Sequence, residues 1–301
     1  MEPKPIIESI PYLSSPLIVV DTLRLDQVHP IVSGNKWYKL RNYLKKATEA
    51  NAQCIASFGG PYSNHLVALA YTAKTNGFKS IGYVRSNQGE PLTPSLQDAL
   101  DYGMEIRYLG RSSFQEQKAA LILESTSTKD TVIYFVDEGG YGNIGAKGAS
   151  TILSDWDNDY HNPTLAYDYI ICAVGTGTMI AGIINKAAIH QNVIGIPVLK
   201  NEGSIRDEIT QLLIDKTAQF TLLHQFHQGG YAKTTKEQID FMNQFWNATN
   251  IPTDIVYTGK VFFAVNQLIK QNYFKPNSRL LIIHSGGLQG NRSLTKGVLN
   301  F

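Results

Sequence analysis

The chain has few cysteines, little excess charge and no long apolar segment. Cys54 and Cys172 are the only cysteines among 301 residues, so a disulfide framework is excluded. Both fall in short apolar runs, and we expect buried free thiols in a cytoplasmic protein. A formal charge of +2 provides no basic surface for nucleic acid. No apolar run reaches membrane-spanning length, and the first residues lack the apolar core of a signal peptide. We therefore expect neither a nucleic-acid nor a membrane partner.

Short apolar runs alternate with helical patterns along most of the chain, which predicts an α/β protein with parallel sheets. The predicted strands cover residues 17–20, 53–57, 80–85, 104–109, 132–136, 167–174, 193–198, 219–223 and 279–284. The predicted helices cover residues 36–51, 65–76, 94–102, 115–125, 178–191, 204–216, 234–247 and 260–271. A glycine-rich and then polar stretch around residues 140–165 indicates a crossing between two domains.

Lys36 begins a predicted amphipathic helix, directly after the small polar loop Ser33-Gly34-Asn35. Lys39 follows three residues later and shares its side of the helix. Two cations at a helix start oppose the helix dipole unless an anion binds there. A lysine amine becomes a Schiff-base nucleophile when burial or a neighbouring cation lowers its pKa. We therefore interpret Lys36 as a candidate Schiff-base lysine, although a solvated helix start is the ordinary alternative.

A second feature is the turn Gly175-Thr176-Gly177-Thr178, between an apolar strand and a helix. Its backbone N–H groups and threonine hydroxyls can bind a phosphate group. The alternative is a dinucleotide site, which requires a third glycine where this chain has Ile180. It also requires an acidic residue closing the next strand, and the nearest candidate, Glu202, lies beyond that strand. The turn therefore favours phosphate over a dinucleotide.

Two further turns follow strands. In residues 59–65, the side chains of Ser63, Asn64 and His65 stand at a predicted helix start and suit a substrate carboxylate. The alternative is an ordinary turn in which Ser63 or Asn64 caps the helix. The last predicted strand runs into Ser285-Gly286-Gly287. No metal site is expected, because His224 and His227 have no third ligand at a suitable spacing.

Together these segments resemble the 1-aminocyclopropane-1-carboxylate deaminase and D-cysteine desulfhydrase family of pyridoxal-phosphate enzymes, over residues 23–291. The match is strongest at residues 34–40, where the family's lysine after Gly-Asn forms the Schiff base. The resemblance implies that the catalytic residues are Lys36, Ser63, Tyr231 and Tyr257. It implies that the cofactor is bound by Lys36, Lys39, Asn64, Gly175, Thr176, Gly177, Thr178, Thr258 and Ser285, and the substrate by Ser63, Asn64 and His65.

The resemblance also implies the tryptophan synthase β-like fold. Two open, twisted parallel-sheet domains then hold pyridoxal 5'-phosphate in the cleft between them. The larger domain is expected to comprise residues 1–40 with 145–301, and the smaller one residues 41–144. The family suggests a homodimer that acts on a small amino acid in the cytoplasm.

Departures from the family's pattern bear on the reaction. Thr258 stands where the deaminases carry a glutamate near the pyridine nitrogen, Ser285 follows the last strand, and His65 replaces a glutamine. These changes favour D-cysteine desulfhydrase-like α,β-elimination to a 2-oxo acid, ammonia and sulfide. Against that choice, Tyr62 replaces the glutamine common before the serine, and Leu25 interrupts the acidic pair usual after Arg24. Such an enzyme would be a lyase or a hydrolase of amino-acid metabolism.

Three alternatives remain open. The first is 1-aminocyclopropane-1-carboxylate deaminase activity, which gives 2-oxobutanoate and ammonia. The second is an NAD-binding oxidoreductase, which depends on the Gly175-Thr176-Gly177 turn alone. The third is a non-catalytic protein that binds pyridoxal phosphate, because a fold does not guarantee a reaction.

Overall fold

The computed structural model describes residues 5–125, 132–154, 162–200 and 203–301, and it contains two sheets. The larger sheet has six strands: β1 (Ile6–Ser9), β2 (Ile18–Arg24), β7 (Tyr169–Val174), β8 (Asn192–Pro197), β9 (Thr221–Leu222) and β10 (Ser278–His284). Their order is β1-β2-β10-β7-β8-β9, and every pairing is parallel except that of β1 with β2. The smaller sheet has four strands: β3 (Cys54–Gly59), β4 (Lys79–Arg85), β5 (Met104–Leu109) and β6 (Ile133–Val136). It is parallel throughout, in the order β5-β4-β3-β6.

Helices connect the strands. In chain order they are α1 (Asn35–Glu49), α2 (Asn64–Thr75), α3 (Pro94–Asp101), α4 (Phe114–Ser125), α5 (Asn143–Ser150), α6 (Thr178–Ile184), α7 (Ile205–Gln211), α8 (Lys236–Thr249) and α9 (Thr258–Lys270). The α/β class and the two parallel-sheet domains expected from the sequence are confirmed. The exact domain boundaries, at residues 40 and 145, stay a prediction.

The six-stranded sheet is buried on both faces, which explains why its central strands are continuous apolar runs. In β10, Leu280 and Ile282 pack into one hydrophobic core, and Leu281 and Ile283 pack into another on the opposite face. Cys172 is buried in the second of these cores, and Cys54 in a core of the smaller sheet. Both cysteines are free thiols, as the sequence predicts. No helix in the described ranges is long and apolar enough to cross a membrane.

Helix α5 is the main element that the sequence pattern misses. Its sequence is rich in glycine, which indicates a loop, yet it packs closely against α1. A β-carbon at Gly148 would overlap the carbonyl oxygen of Tyr38, and one at Gly145 would overlap that of Gly140. The glycines therefore allow a close approach of backbones, which local propensity does not reveal.

The helix predicted over residues 178–191 is also shorter in the structure, where α6 ends at Ile184. Asn185 follows, and its side-chain amide donates to the carbonyl of Leu212 at 3.0 Å and accepts from the backbone N–H of Ile214 at 2.8 Å. These contacts tie the end of α6 to another segment, and the helix ends at its last buried residue.

Candidate active site

The start of α1 is fixed against the end of β10 by glycine. Gly34 has a φ of +70°, and a β-carbon there would overlap the carbonyl oxygen of Ser285. The N–H of Gly34 donates to the carbonyl of Leu25 at 2.9 Å, and the N–H of Asn35 donates to that of Ser285 at 3.2 Å. Only glycine allows this approach, which brings the first turn of α1 beside the loop that follows β10.

A narrow cleft opens at this point. Its walls come from four separate segments of the chain, and they comprise Ile31, Ser33, Asn35, Lys36, Asn64, Tyr257, Ser285, Gly286, Gly287 and Gln289. Four residues singled out from the sequence, Lys36, Asn64, Tyr257 and Ser285, are therefore brought together. The cleft lies at the carboxyl ends of β3 and β10, where parallel sheets bind their ligands.

Lys36 has the electrostatics of a reactive amine. Its Nζ donates to Oδ1 of Asn35 at 2.8 Å. Burial lowers the pKa of Lys36 to about 8, and the charge of Asp254 opposes this by raising it. A substantial fraction of the amine is therefore neutral, and able to act as a nucleophile or base, near neutral pH.

Lys39 lies deeper in the protein, about one helical turn after Lys36 in α1. Its Nζ donates to the carbonyl of Gly139 at 3.1 Å. Burial and the charge of Lys36 lower the pKa of Lys39 well below its usual range. Two amines that disfavour each other's charge in this way form a site that would be stabilised by an anion.

His65 is close to Lys39 and does not line the cleft. Its Nε2 lies 2.9 Å from Oγ of Ser57, and a β-carbon on Gly140 would lie 3.7 Å from its Cε1 and 3.5 Å from Cδ of Lys39. Burial and the charges of Lys36 and Lys39 lower the pKa of His65 well below its usual range. The ring is therefore neutral, and its expected role towards the substrate carboxylate stays a prediction.

The turn of residues 175–178 adjoins the cleft. It also adjoins the loop around Gly139, whose carbonyl accepts a hydrogen bond from Lys39. The hydroxyls of Thr176 and Thr178 lie 3.1 Å apart. A β-carbon on Gly139 would lie 3.1 Å from Cγ2 of Thr176, and one on Gly175 would lie 3.4 Å from Cε1 of Tyr257. The turn thus connects the loop that holds Lys39 with a tyrosine of the cleft wall.

The two predicted tyrosines contact each other. The hydroxyl of Tyr257 donates to that of Tyr231 at 3.4 Å, and the rings meet edge to face with centroids 6.2 Å apart. Tyr257 lines the cleft, whereas the side chain of Tyr231 is 47% exposed. Burial, reinforced by Tyr231, raises the pKa of Tyr257 well above its usual value, so its hydroxyl keeps its proton.

Asp254 organises the start of α9 and was missed by sequence reasoning. Its carboxylate accepts hydrogen bonds from the N–H groups of Val256, Tyr257 and Thr258 at 2.8–2.9 Å, and from the hydroxyl of Thr258 at 2.7 Å. The same hydroxyl accepts from the N–H of Asp254 at 2.8 Å. Thr258 is thus fully buried and committed to Asp254, and it does not line the cleft.

Ser63 and Asn64 lie at the start of α2. Ser63 is the N-cap, and its Oγ accepts from the N–H of Leu66 at 3.3 Å, which leaves its own proton free to donate. Nδ2 of Asn64 donates to the carbonyl of Gly287 at 3.4 Å, which links α2 to the end of β10. The capped-turn alternative is thus real for Ser63, while Asn64 faces the cleft.

The residues present fit pyridoxal phosphate. Oδ1 of Asn64 and Nδ1 of His65 are buried without a hydrogen-bond partner among the described residues. Lys39 and the turn of residues 175–178 supply a cation and backbone N–H groups for the phosphate. Lys36 supplies the amine for the aldehyde. Each polar part of the cofactor therefore has a matching group.

Comparison with known proteins identifies the family. A family model described as "Pyridoxal-phosphate dependent enzyme" matches residues 6–286. The chain belongs to this family. Pyridoxal phosphate is therefore its cofactor, in agreement with the donor groups of the cleft.

Individual relatives agree with this family assignment. A 1-aminocyclopropane-1-carboxylate deaminase of a Bradyrhizobium species is 26% identical and covers 85% of this chain and 82% of its own. A mitochondrial bifunctional D-cysteine desulfhydrase/1-aminocyclopropane-1-carboxylate deaminase of Arabidopsis thaliana is 24% identical, over 86% and 70%. A crystal structure of an ACC deaminase homologue has a TM-score of 0.81 at 23% identity, over 96% and 90%, and it shows the shared fold.

One expectation from the sequence is corrected. A hydrolase does not fit this family, whose members here support a pyridoxal-phosphate lyase. The physical reason is that elimination breaks the substrate's bond by moving an electron pair within the substrate, and water attacks only the product that is released.

Proposed function

We propose that this pyridoxal-phosphate enzyme eliminates a β-leaving group from a small amino acid, with D-cysteine as substrate and a 2-oxo acid, ammonia and sulfide as products. One observation carries the choice of elimination. The described wall of the cleft beside Lys36 offers the hydroxyl of Ser285 and contains no carboxylate.

The partner of the cofactor's ring nitrogen decides how strongly electrons are withdrawn. When bound, pyridoxal phosphate withdraws electrons from Cα of an amino-acid substrate. A carboxylate beside the ring nitrogen would keep that nitrogen protonated and strengthen the withdrawal, whereas a hydroxyl does not. Since the hydroxyl of Thr258 is committed to Asp254, we assign this position to Ser285. Loss of a good leaving group such as thiolate tolerates the weaker withdrawal better than opening of an unactivated ring does.

Lys36 is the proposed base. Its amine, whose pKa is lowered to about 8, takes the proton from Cα of the substrate. The electrons of the Cα–H bond form a Cα–Cβ double bond, and the electron pair of the Cβ–S bond leaves with sulfide. Water then converts the released enamine to pyruvate and ammonia. All atoms of D-cysteine and one water molecule are accounted for.

Other residues hold the substrate and the phosphate. The hydroxyl of Ser63 and the amide of Asn64, at the N-terminus of α2, are assigned to the substrate carboxylate, which the helix dipole also favours. Tyr257 and Tyr231 face the reacting side as protonated hydroxyls. Lys39 and the turn of residues 175–178 are assigned to the phosphate. We assign His65 to this phosphate side, because it contacts Lys39's surroundings and not the cleft.

The second candidate is 1-aminocyclopropane-1-carboxylate deamination, which the names of the relatives favour. A homodimer and a cytoplasmic location also stay predictions. The two free, buried thiols support the latter, because reducing compartments preserve them.

The test is a comparison of kcat/KM for D-cysteine, L-cysteine and 1-aminocyclopropane-1-carboxylate, with sulfide, pyruvate and 2-oxobutanoate measured as products. We expect D-cysteine to be preferred, with equal amounts of sulfide and pyruvate, and we expect Lys36→Ala to abolish turnover. Faster formation of 2-oxobutanoate from the cyclopropane amino acid would replace the first candidate with the second.

A further inference from the structure

Lys260 is a fully buried lysine that does not line the cleft and has no role in the reaction described above. It lies in the first turn of α9, three residues after Tyr257. Its Nζ donates to the carbonyl oxygens of His227 at 2.8 Å, Gly230 at 2.6 Å and Val198 at 3.5 Å. An ammonium group has three donors, and all three are directed at backbone carbonyls.

The turn that Lys260 holds has an unfavourable backbone. Gln228 and Ala232 have φ angles of +53°, and the intervening Gly229 and Gly230 have φ angles of +92° and +117°. A left-handed conformation is unfavourable for a residue with a β-carbon. Within the turn, the N–H of Gly230 donates to the carbonyl of His227 at 3.0 Å. A turn with this conformation needs support from outside, and the ammonium of Lys260 binds two of its carbonyls.

Tyr231 lies within this turn, between Gly230 and Ala232, so its position depends on the conformation of the turn. With 47% of its side chain exposed, Tyr231 is held only in part by packing. Its hydroxyl nevertheless accepts from Tyr257 at 3.4 Å. Lys260 therefore also connects the two tyrosines. It shares a helical turn with Tyr257, and its Nζ donates to the carbonyl of Gly230, the residue before Tyr231.

We propose that Lys260 is a positioning residue, which fixes the hydroxyl of Tyr231 against Tyr257 by holding the carbonyls of His227 and Gly230. This rests on the proposed function, because the two tyrosines matter only if they face the reacting substrate. Burial lowers the pKa of Lys260 to about 8, and the charge of Asp254 opposes this by raising it.

The experiment compares Lys260→Met, Tyr231→Phe and the double variant with the unmodified enzyme. Lys270→Met, an exposed lysine at the other end of the same helix, is the matched control. Turnover of D-cysteine gives kcat and KM separately. Hydrogen exchange of the backbone amides of residues 228–232 reports on the turn without any catalysis, and the visible band of the bound cofactor shows whether each variant still binds the cofactor.

In Lys260→Met we expect the cofactor band to be retained and hydrogen exchange at residues 228–232 to rise about tenfold. We also expect kcat to fall about tenfold with little change in KM, because small displacements of a group at an active site lower the rate by up to about 100-fold. The double variant should be no slower than the slower of the two single variants, because both changes disrupt the same contact between the hydroxyls of Tyr231 and Tyr257. Lys270→Met should change none of these.

Independent effects that multiply in the double variant would overturn the proposal, as would unchanged exchange in the turn. If Lys260→Met does not fold, Lys260→Arg provides the same test, because its longer side chain keeps the charge and alters the reach to the carbonyls. Absence of D-cysteine turnover in the unmodified protein would refute the proposed function instead, and exchange would still decide whether Lys260 holds the turn.

Discussion

The lowered pKa of Lys36 makes a quantitative prediction about the rate at which the protein binds its cofactor. Only the neutral amine attacks the aldehyde. At pH 7 a lysine with the ordinary pKa of 10.5 is about 0.03% neutral, whereas one with a pKa of about 8 is about 10% neutral. Burial of Lys36 therefore raises the reactive fraction by roughly 300-fold at this pH.

The assay mixes protein freed of its cofactor with pyridoxal phosphate and follows the growth of the visible band between pH 6.5 and 9.5. The rate constant should rise with pH and level off with a midpoint at about 8, because the group with the lowered pKa loses its proton there. Lys36→Ala measures the contribution of all other lysines and should show no such band. A rate that still rises tenfold per pH unit at pH 9.5 would show an ordinary lysine and refute the reasoning.

Three further predictions concern the supports of the site. Gly34→Ala should lower the free energy of unfolding in urea by about 2–6 kcal/mol, because a strained φ and an overlap with Ser285 each cost about 1–3 kcal/mol. The control is Gly110→Ala, at a site with ordinary space around it, which should change the free energy of unfolding by less than about 1 kcal/mol. Ser285→Ala should alter the cofactor's visible spectrum and turnover without loss of stability, whereas Thr258→Val should cost about 1–3 kcal/mol of stability by removing a buried hydrogen bond to Asp254. Cys172, whose pKa burial raises to about 12, should resist a thiol reagent in the folded protein and react after unfolding.

Each of these predictions has a contrary outcome. Equal stability of the two glycine variants would show that the start of α1 is not fixed by Gly34. A spectrum that responds to Thr258→Val and not to Ser285→Ala would reverse the assignment of the ring-nitrogen partner. Rapid labelling of Cys172 in the native protein would contradict its burial.

Features encoded by local pattern could be predicted from the sequence. Alternating strands and helices gave the α/β class, and the sequence around Lys36 indicated a reactive lysine because glycine, a polar residue and two nearby cations occur together. Residues 175–178 were predicted to bind phosphate because a glycine-rich turn there joins a strand to a helix, and this role stays a prediction. The crossing near residue 140 was indicated only coarsely, and residues 155–161 of that stretch lie outside the described part of the chain.

Features that depend on distant segments could not be predicted. Helix α5 approaches the backbone of α1 closely at Gly148, and no local propensity encodes that contact. The difference between Thr258 and Ser285 follows from the hydrogen bonds of Asp254, which the sequence presents only as one more acidic residue. Likewise, His65 follows Asn64 directly in the chain but lies toward Lys39, because the first turn of α2 rotates consecutive side chains to different sides.

The most direct test of the central claim is to reduce the cofactor-bound protein with borohydride and locate the modified lysine by peptide mapping. Among the lysines that the structure describes, Lys36, Lys39 and Lys260 have buried amines with lowered pKa values, so the result discriminates among real alternatives. We expect cofactor on Lys36 alone, because of these three amines only that of Lys36 lines the cleft. Modification of Lys39 or Lys260 in its place, or of no single lysine, would contradict it.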